Sequence, residues 1–250
     1  MTNFSFDEIA RSIDHVLLHP ALTDEELIKG CAFAVECNCA SVWVKPGFAG
    51  IAAKLMRGTG VAVGTVVGFP FGFTASALRC REAELALDAG VDEIVASIDS
   101  GKVRAGEWAT LRADLQALRD SVAGAVLKVI FDIGHLTDRR IEEFCSLCNE
   151  TGADFLVTSS GAFFPRPDSG ECECHGATVE HLALMRRTAL PAIGIEASGG
   201  IRTLDDLLTA RRAGASRIAT VSTRTILEEA ARRLTVELEK RAEMEENLDA

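Results

Sequence analysis

The chain has 250 residues, 48% of them apolar, with 26 Lys and Arg against 37 Asp and Glu, for a formal net charge of −11. A chain of this length can bury about three quarters of its unfolded surface around one large core, and an acidic balance without a basic block speaks against nucleic acid as a partner. The most apolar stretch, Val61 to Phe73, is broken by Gly64, Gly68, Pro70 and Gly72, so nothing approaches the roughly 20 residues a bilayer requires and no membrane partner is expected. The first residues, Met1 to Glu8, carry neither the basic nor the apolar region of a secretory signal, which makes the cytoplasm the expected location.

In chain order, short β-branched or apolar runs fall near Ile13–Leu18, Ser41–Val44, Val61–Val67, Glu93–Ile98, Leu127–Ile130, Phe155–Thr158, Ala192–Glu196 and Arg217–Thr220. Most do not alternate, as expected of parallel strands covered on both faces. Between them lie amphipathic segments such as Asp24–Glu36, Ala75–Ala89, Ala105–Ser121, Asp138–Gly152 and Leu204–Ala213. Gly90, Gly152 and Gly214 stand where a left-handed glycine stops a helix before the next strand. Eight strand-then-helix units in one chain predict an α/β fold, a closed (β/α)8 TIM barrel forming a single domain over residues 1–250, with a doubly wound open sheet as the alternative. A C-terminal helix rich in Glu237, Glu239, Glu243, Glu245 and Glu246 reads as a solvated face.

Eight cysteines in a chain without a secretory signal read as reduced thiols. Cys145 and Cys148 have CxxC spacing, but apolar residues at 141, 144, 145 and 148 put both on one buried helical stripe. Cys172, Cys174 and His175 follow a Pro- and Gly-rich loop and could supply zinc ligands, although a fourth ligand is not evident nearby.

In such a barrel the chemistry sits at the C-terminal ends of the strands. Gly199 and Gly200 after strand 7, Ser222 after strand 8 and Gly161 after strand 6 are placed to cradle a phosphate, because small residues let backbone N–H groups approach an anion. Lys128, Ile130 and Asp132 share one phase of strand 5, so Lys128 and Asp132 can face the same side.

Several motifs occur in order along nearly the whole chain: Ile13-Asp14-His15-x-Leu17-Leu18-x-Pro20, Val67-Gly68-Phe69-Pro70-x-Gly72, Asp92-Glu93-Ile94, Leu127-Lys128-Val129-Ile130, Thr158-Ser159-x-Gly161 and Ala197-Ser198-Gly199-Gly200-Ile201-Arg202-Thr203. As an ordered set they resemble the deoxyribose-phosphate aldolase family. The resemblance implies a TIM barrel, a phosphorylated aldehyde or ketose as ligand, a strand-6 lysine that forms a Schiff base, a strand-7 lysine that lowers its pKa, a strand-4 aspartate, and a possible homodimer. At the matching positions this chain has Val157, Glu196 and Val95. A valine has no amine to condense with a carbonyl, so covalent catalysis is not expected at that position. His19 stands where the family usually has Lys, and Lys45 where it usually has Asn. The resemblance also implies an insertion near 162–175.

The leading expectation is therefore a lyase, aldolase-like but open to elimination, isomerisation or rearrangement, that acts on a small phosphorylated carbonyl or sugar compound without a cofactor or resident metal. Its acid–base set would be Glu196 with Asp14 or Asp132, and Lys128 would stabilise an oxyanion. A buried Lys128–carboxylate network is the structural alternative. Two other classes stay open: a metal-assisted lyase or isomerase using Asp132, His135 and Glu196 with Asp99 or His15, and a non-catalytic barrel that binds a metabolite.

Overall fold

Eight strands form, all parallel, and close on themselves. In the computed structural model, which describes residues 4–162 and 176–248, β1 (Ile13–Leu17), β2 (Ser41–Val44), β3 (Ala62–Val67), β4 (Glu93–Ser97), β5 (Val126–Ile130), β6 (Phe155–Val157), β7 (Gly194–Ser198) and β8 (Arg217–Thr220) pair in chain order, and β8 returns to β1. The (β/α)8 barrel is the architecture, and the open-sheet alternative falls. The expected strand at Ala192–Glu196 is displaced to Gly194–Ser198. Pro191 has no N–H for a ladder, and Ile193 N–H closes a turn onto the Leu190 carbonyl instead.

The helices are α1 (Phe6–Ala10), α2 (Asp24–Glu36), α3 (Ala49–Met56), α4 (Ser76–Asp88), α5 (Ser100–Ala105), α6 (Trp108–Ser121), α7 (Asp138–Thr151), α8 (Val179–Thr188), α9 (Leu204–Arg212) and α10 (Thr223–Leu248). Capping boxes, Thr23 with Glu26 and Thr203 with Asp206, fix where α2 and α9 begin by satisfying otherwise orphaned N–H groups. The segment expected as one helix over 105–121 is two, because Gly106 adopts φ +77° and caps α5 before α6 starts. Gly152 ends α7 in the same left-handed conformation. Cys145 and Cys148 lie on the buried face of α7, where burial pushes the Cys145 thiol up to about 12.

Two apolar regions result. The larger lies between the outer faces of the strands and the helices; the smaller fills the barrel with Trp43, Val66, Val95, Ile130, Val157 and Ala219. Strand residues two positions earlier share the inward phase. On β1, β4, β5 and β8 those lower inward positions are Asp14, Glu93, Lys128 and Arg217, so a charged layer sits beneath an apolar one. Among the described residues no helix is long and apolar enough to cross a membrane.

Candidate active site at the barrel mouth

Above the apolar layer the strand ends enclose a cavity of about 800 Å³. One wall is glycine-rich: Gly161, Gly199 and Gly200 line it, all with positive φ, next to Arg202. The opposite wall carries His19, Pro20, Lys45 and Pro46. Gly199 could not easily be another residue, since a Cβ there would lie 3.1 Å from Gly176 Cα and 3.3 Å from Ser159 Cβ. The Ala177 N–H donates to the Gly199 carbonyl at 3.1 Å, which pins the turn. Three of the four expected phosphate-site residues therefore line the cavity. Ser222 does not, and its N–H is already taken by Thr220 Oγ1 at 2.9 Å.

Asp132 continues the inward phase of β5 beyond the strand, at φ +43°, a conformation that non-glycine residues seldom adopt. Its Oδ1 accepts from the Ser160 N–H at 2.7 Å and from the Ser160 hydroxyl at 2.9 Å. Burial raises the Asp132 carboxyl above its ordinary value, against the opposing pull of those Ser160 hydrogen bonds. Ser160 itself lines the cavity, so this carboxyl reaches the mouth through one hydroxyl.

The other three candidates lie elsewhere. Lys128 Nζ is fully buried, 2.5 Å from Asp14 Oδ2, 2.9 Å from Glu93 Oε2 and 3.0 Å from Glu196 Oε2, with the rings of Phe155 and Trp43 at 5.0 and 5.2 Å. Arg217 Nη2 joins from β8, 2.9 Å from Asp14 Oδ1 and 2.9 Å from Glu93 Oε1, and Ser41 Oγ donates to Asp14 Oδ1 at 2.6 Å. None of these side chains lines the mouth cavity. The expected placement of Asp14, Lys128 and Glu196 at the strand-end pocket is thus corrected: they share the inward phase but sit too low, with Val95, Ile130 and Val157 over them. Asp132, expected on the same side of the strand as Lys128, is not part of the network.

Proton counting explains how the network is tolerated. Burial would raise the Asp14 carboxyl, but the charges of Lys128 and Arg217 outweigh it and hold that group well below the carboxylate range. Burial and then the adjacent Asp14 charge push Glu196 well above its ordinary value. Glu196 pairs with Lys128 at 3.0 Å, and neither of its carboxyl oxygens makes a directed hydrogen bond. A proton on Glu196 would let the carboxylates Asp14 and Glu93 balance the cations Lys128 and Arg217 and leave the layer neutral. An unbalanced charge at this depth would cost several kcal/mol.

Among the described residues no three His, Cys, Asp or Glu side chains converge as a metal site. The metal-assisted set of Asp132, His135 and Glu196 with Asp99 or His15 is not brought together. His15 Nδ1 instead contacts Thr223 Oγ1 at 2.8 Å, and burial, aided by the charge of Arg224, lowers its pKa to about 4, which keeps the ring neutral. Cys172, Cys174 and His175 lie outside the described residues. Sequence reasoning missed Arg217 and Trp43 as interior groups. Their signal was the phase they share with Ala219 and Ser41, two residues away on the same strands.

Comparison with known proteins fits this geometry. No family model matches the chain. Deoxyribose-phosphate aldolase 1 of Cutibacterium acnes is 40% identical over 210 residues, spanning 84% of this chain and 92% of that protein. The solved structure of the aldolase QR15 is 29% identical with a TM-score of 0.82, covering 91% of this chain and 98% of the other. A deoxyribose phosphate aldolase from Aeropyrum pernix, described as a unique tetramer, is 26% identical with a TM-score of 0.77, covering 90% and 91%. Identity of that level over nearly the full length of a relative, together with the same barrel, places this chain in the deoxyribose-phosphate aldolase family, a family of lyases.

Proposed function

We propose that the protein is a lyase for a small phosphorylated carbonyl or sugar compound, bound at the mouth, that works by proton transfer without a Schiff base at Val157. The observation that carries this reading is the Asp132–Ser160 pair. A buried carboxyl with a raised pKa bonds to a hydroxyl on the cavity wall, next to the glycines that would hold the phosphate. The names of the relatives make 2-deoxyribose 5-phosphate the first compound to test.

In an aldol cleavage, the substrate hydroxyl β to the carbonyl gives its proton to Ser160 Oγ while the Ser160 proton passes to Asp132. The O–H electron pair forms the new aldehyde C=O, the adjacent C–C bond breaks, and its electrons go to the carbonyl fragment as an enolate, which is then protonated. Ser160 would be the residue that touches the substrate, and Asp132 would act through it. Asp14, Lys128 and Glu196 form the floor of the barrel in this reading and do not meet the reacting atoms. The phosphate would rest on the N–H groups of Gly199 and Gly200 and in the open space beside Gly161, whose own N–H donates to Ser159 Oγ at 3.1 Å, with Ser222 just outside.

A panel of four- to six-carbon aldose and ketose phosphates, 2-deoxyribose 5-phosphate included, tests this. Asp132→Asn and Ser160→Ala should each lower kcat by about 100-fold or more with the fold intact. In the parent protein kcat should rise with pH through a pKa above the ordinary carboxylate range, since the base must be ionised, and that limb should vanish in Asp132→Asn. A borohydride-stable adduct on any lysine would overturn the mechanism. Binding without turnover across the panel would instead support a metabolite-binding barrel, a reading favoured by the apolar Val157 in the layer beneath the cavity.

A further inference from the structure

The mouth has a second positive pole, built as carefully as the first. Lys45, at the end of β2, donates from Nζ to the Pro20 carbonyl at 3.1 Å and the Leu22 carbonyl at 3.0 Å, and stands 4.5 Å above the Phe48 ring. Two of its three ammonium protons are thereby used, which fixes the direction of the third. His19 Nδ1 accepts the Ala21 N–H at 3.2 Å, which leaves Nε2 as the ring's donor. Both residues line the cavity and both are held by backbone of the same short segment after β1. Neither has an ion-pair partner among the described residues. Glu82 is the acid on the lining, and its Oε2 is committed to the Gly68 N–H at 2.7 Å.

β2 and β6 lie on opposite sides of a ring of eight. Strands about 4.8 Å apart and tilted about 36° close a ring about 15 Å across, so Lys45 faces Gly161 over the length of a short sugar phosphate, while His19 after β1 and Gly199 and Gly200 after β7 stand two strands apart on the β8 side. We infer that the substrate carries two anionic ends, a phosphate at Gly161, Gly199 and Gly200 and a carboxylate at Lys45 and His19. Two single donors on one wall suit the two oxygens of a carboxylate, whereas a second phosphate would call for glycine-rich backbone such as that of Gly199 and Gly200. This rests on the phosphate-binding part of the proposed function and narrows its substrate class to phosphorylated sugar acids or keto acids.

Calorimetric titration of the whole protein with inorganic phosphate, erythritol 4-phosphate and 4-phosphoerythronate tests it; the last two differ by a carboxylate in place of a terminal CH2OH. The parent protein should bind 4-phosphoerythronate at least tenfold more tightly than erythritol 4-phosphate. Lys45→Met should abolish that preference while leaving the affinity for inorganic phosphate within twofold, and Lys45→Gln serves equally should the first variant not fold. Equal affinity for the two four-carbon ligands in the parent, or an undiminished preference in the Lys45 variant, would overturn the second pole and leave the phosphate site standing. Failure of all three ligands to bind would refute the phosphate site itself, and both readings with it.

Discussion

Glu196→Gln gives a direct test of the proton assigned to the barrel floor. Glutamine has the shape of a protonated glutamate, so the layer of Asp14, Glu93, Lys128 and Arg217 should accept it with its charge balance unchanged. Burial and the Asp14 charge raise Glu196 above 4.5, the ordinary value of the group, so the folded chain should hold this proton to higher pH than the unfolded chain does. A raised folded pKa contributes stability that is fully present below the unfolded value and is lost as pH rises toward the folded one. One extra bound proton gives a slope of about −1.4 kcal/mol per pH unit in that window. Stability of the parent should therefore fall as pH rises above 4.5, until the folded protein also releases the proton, and the glutamine variant should lose none of it. Asp14 titrates below this window, and other groups are common to both proteins, so the difference between them isolates Glu196. Urea unfolding at pH 5, 6, 7 and 8 should show the variant gaining on the parent as pH rises, by at most about 1.4 kcal/mol, or about 3 to 5 °C in Tm, with each unit. Parallel curves would refute the neutral-layer account. Turnover should survive the substitution; its loss in a folded protein would return Glu196 to the catalytic set.

Lys128→Met removes the central cation and leaves carboxylates without their counter-charge, so unfolding should become easier by about 3 to 5 kcal/mol, measured by urea denaturation at pH 7. If the loss is under 1 kcal/mol, the network is not what the geometry says it is. Gly199→Ala places a Cβ against Gly176 and Ser159 at a backbone φ of +87°; it should cost about 1 to 3 kcal/mol and weaken phosphate binding at least tenfold. Gly60→Ala, at φ +80° with nothing near its added Cβ, should lose comparable stability and keep its phosphate affinity, which separates backbone strain from the cradle.

The barrel was legible because its strands are buried on both faces and therefore read as continuous apolar runs such as Leu127–Ile130. Gly161, Gly199 and Gly200 were legible for a related reason: strand ends followed by glycine mark the mouth whatever the register. Height inside the barrel was not legible. The two-residue repeat tells that Lys128 and Asp132 point the same way, but one sits under the Val95–Ile130–Val157 layer and the other above it, and only the stagger between strands decides that. Nor does local sequence bring Asp14, Glu93, Lys128, Glu196 and Arg217 together, since they lie on five strands and meet across the axis. Arg217 was passed over because, at a strand start, a charge looks like the solvated edge of the element.

The apolar layer inside the barrel acts as a septum. Below it, the charges of Asp14, Glu93, Lys128 and Arg217 are matched around Glu196, and removing any one of those four is felt as lost stability. Above it, the side chains that would meet a ligand, Lys45, Ser160 and Arg202 among them, are half-buried or exposed and contribute little to holding the fold. A chain partitioned in this way can exchange one reaction for another by substitutions at its rim, while the sealed ledger of charge underneath continues to balance.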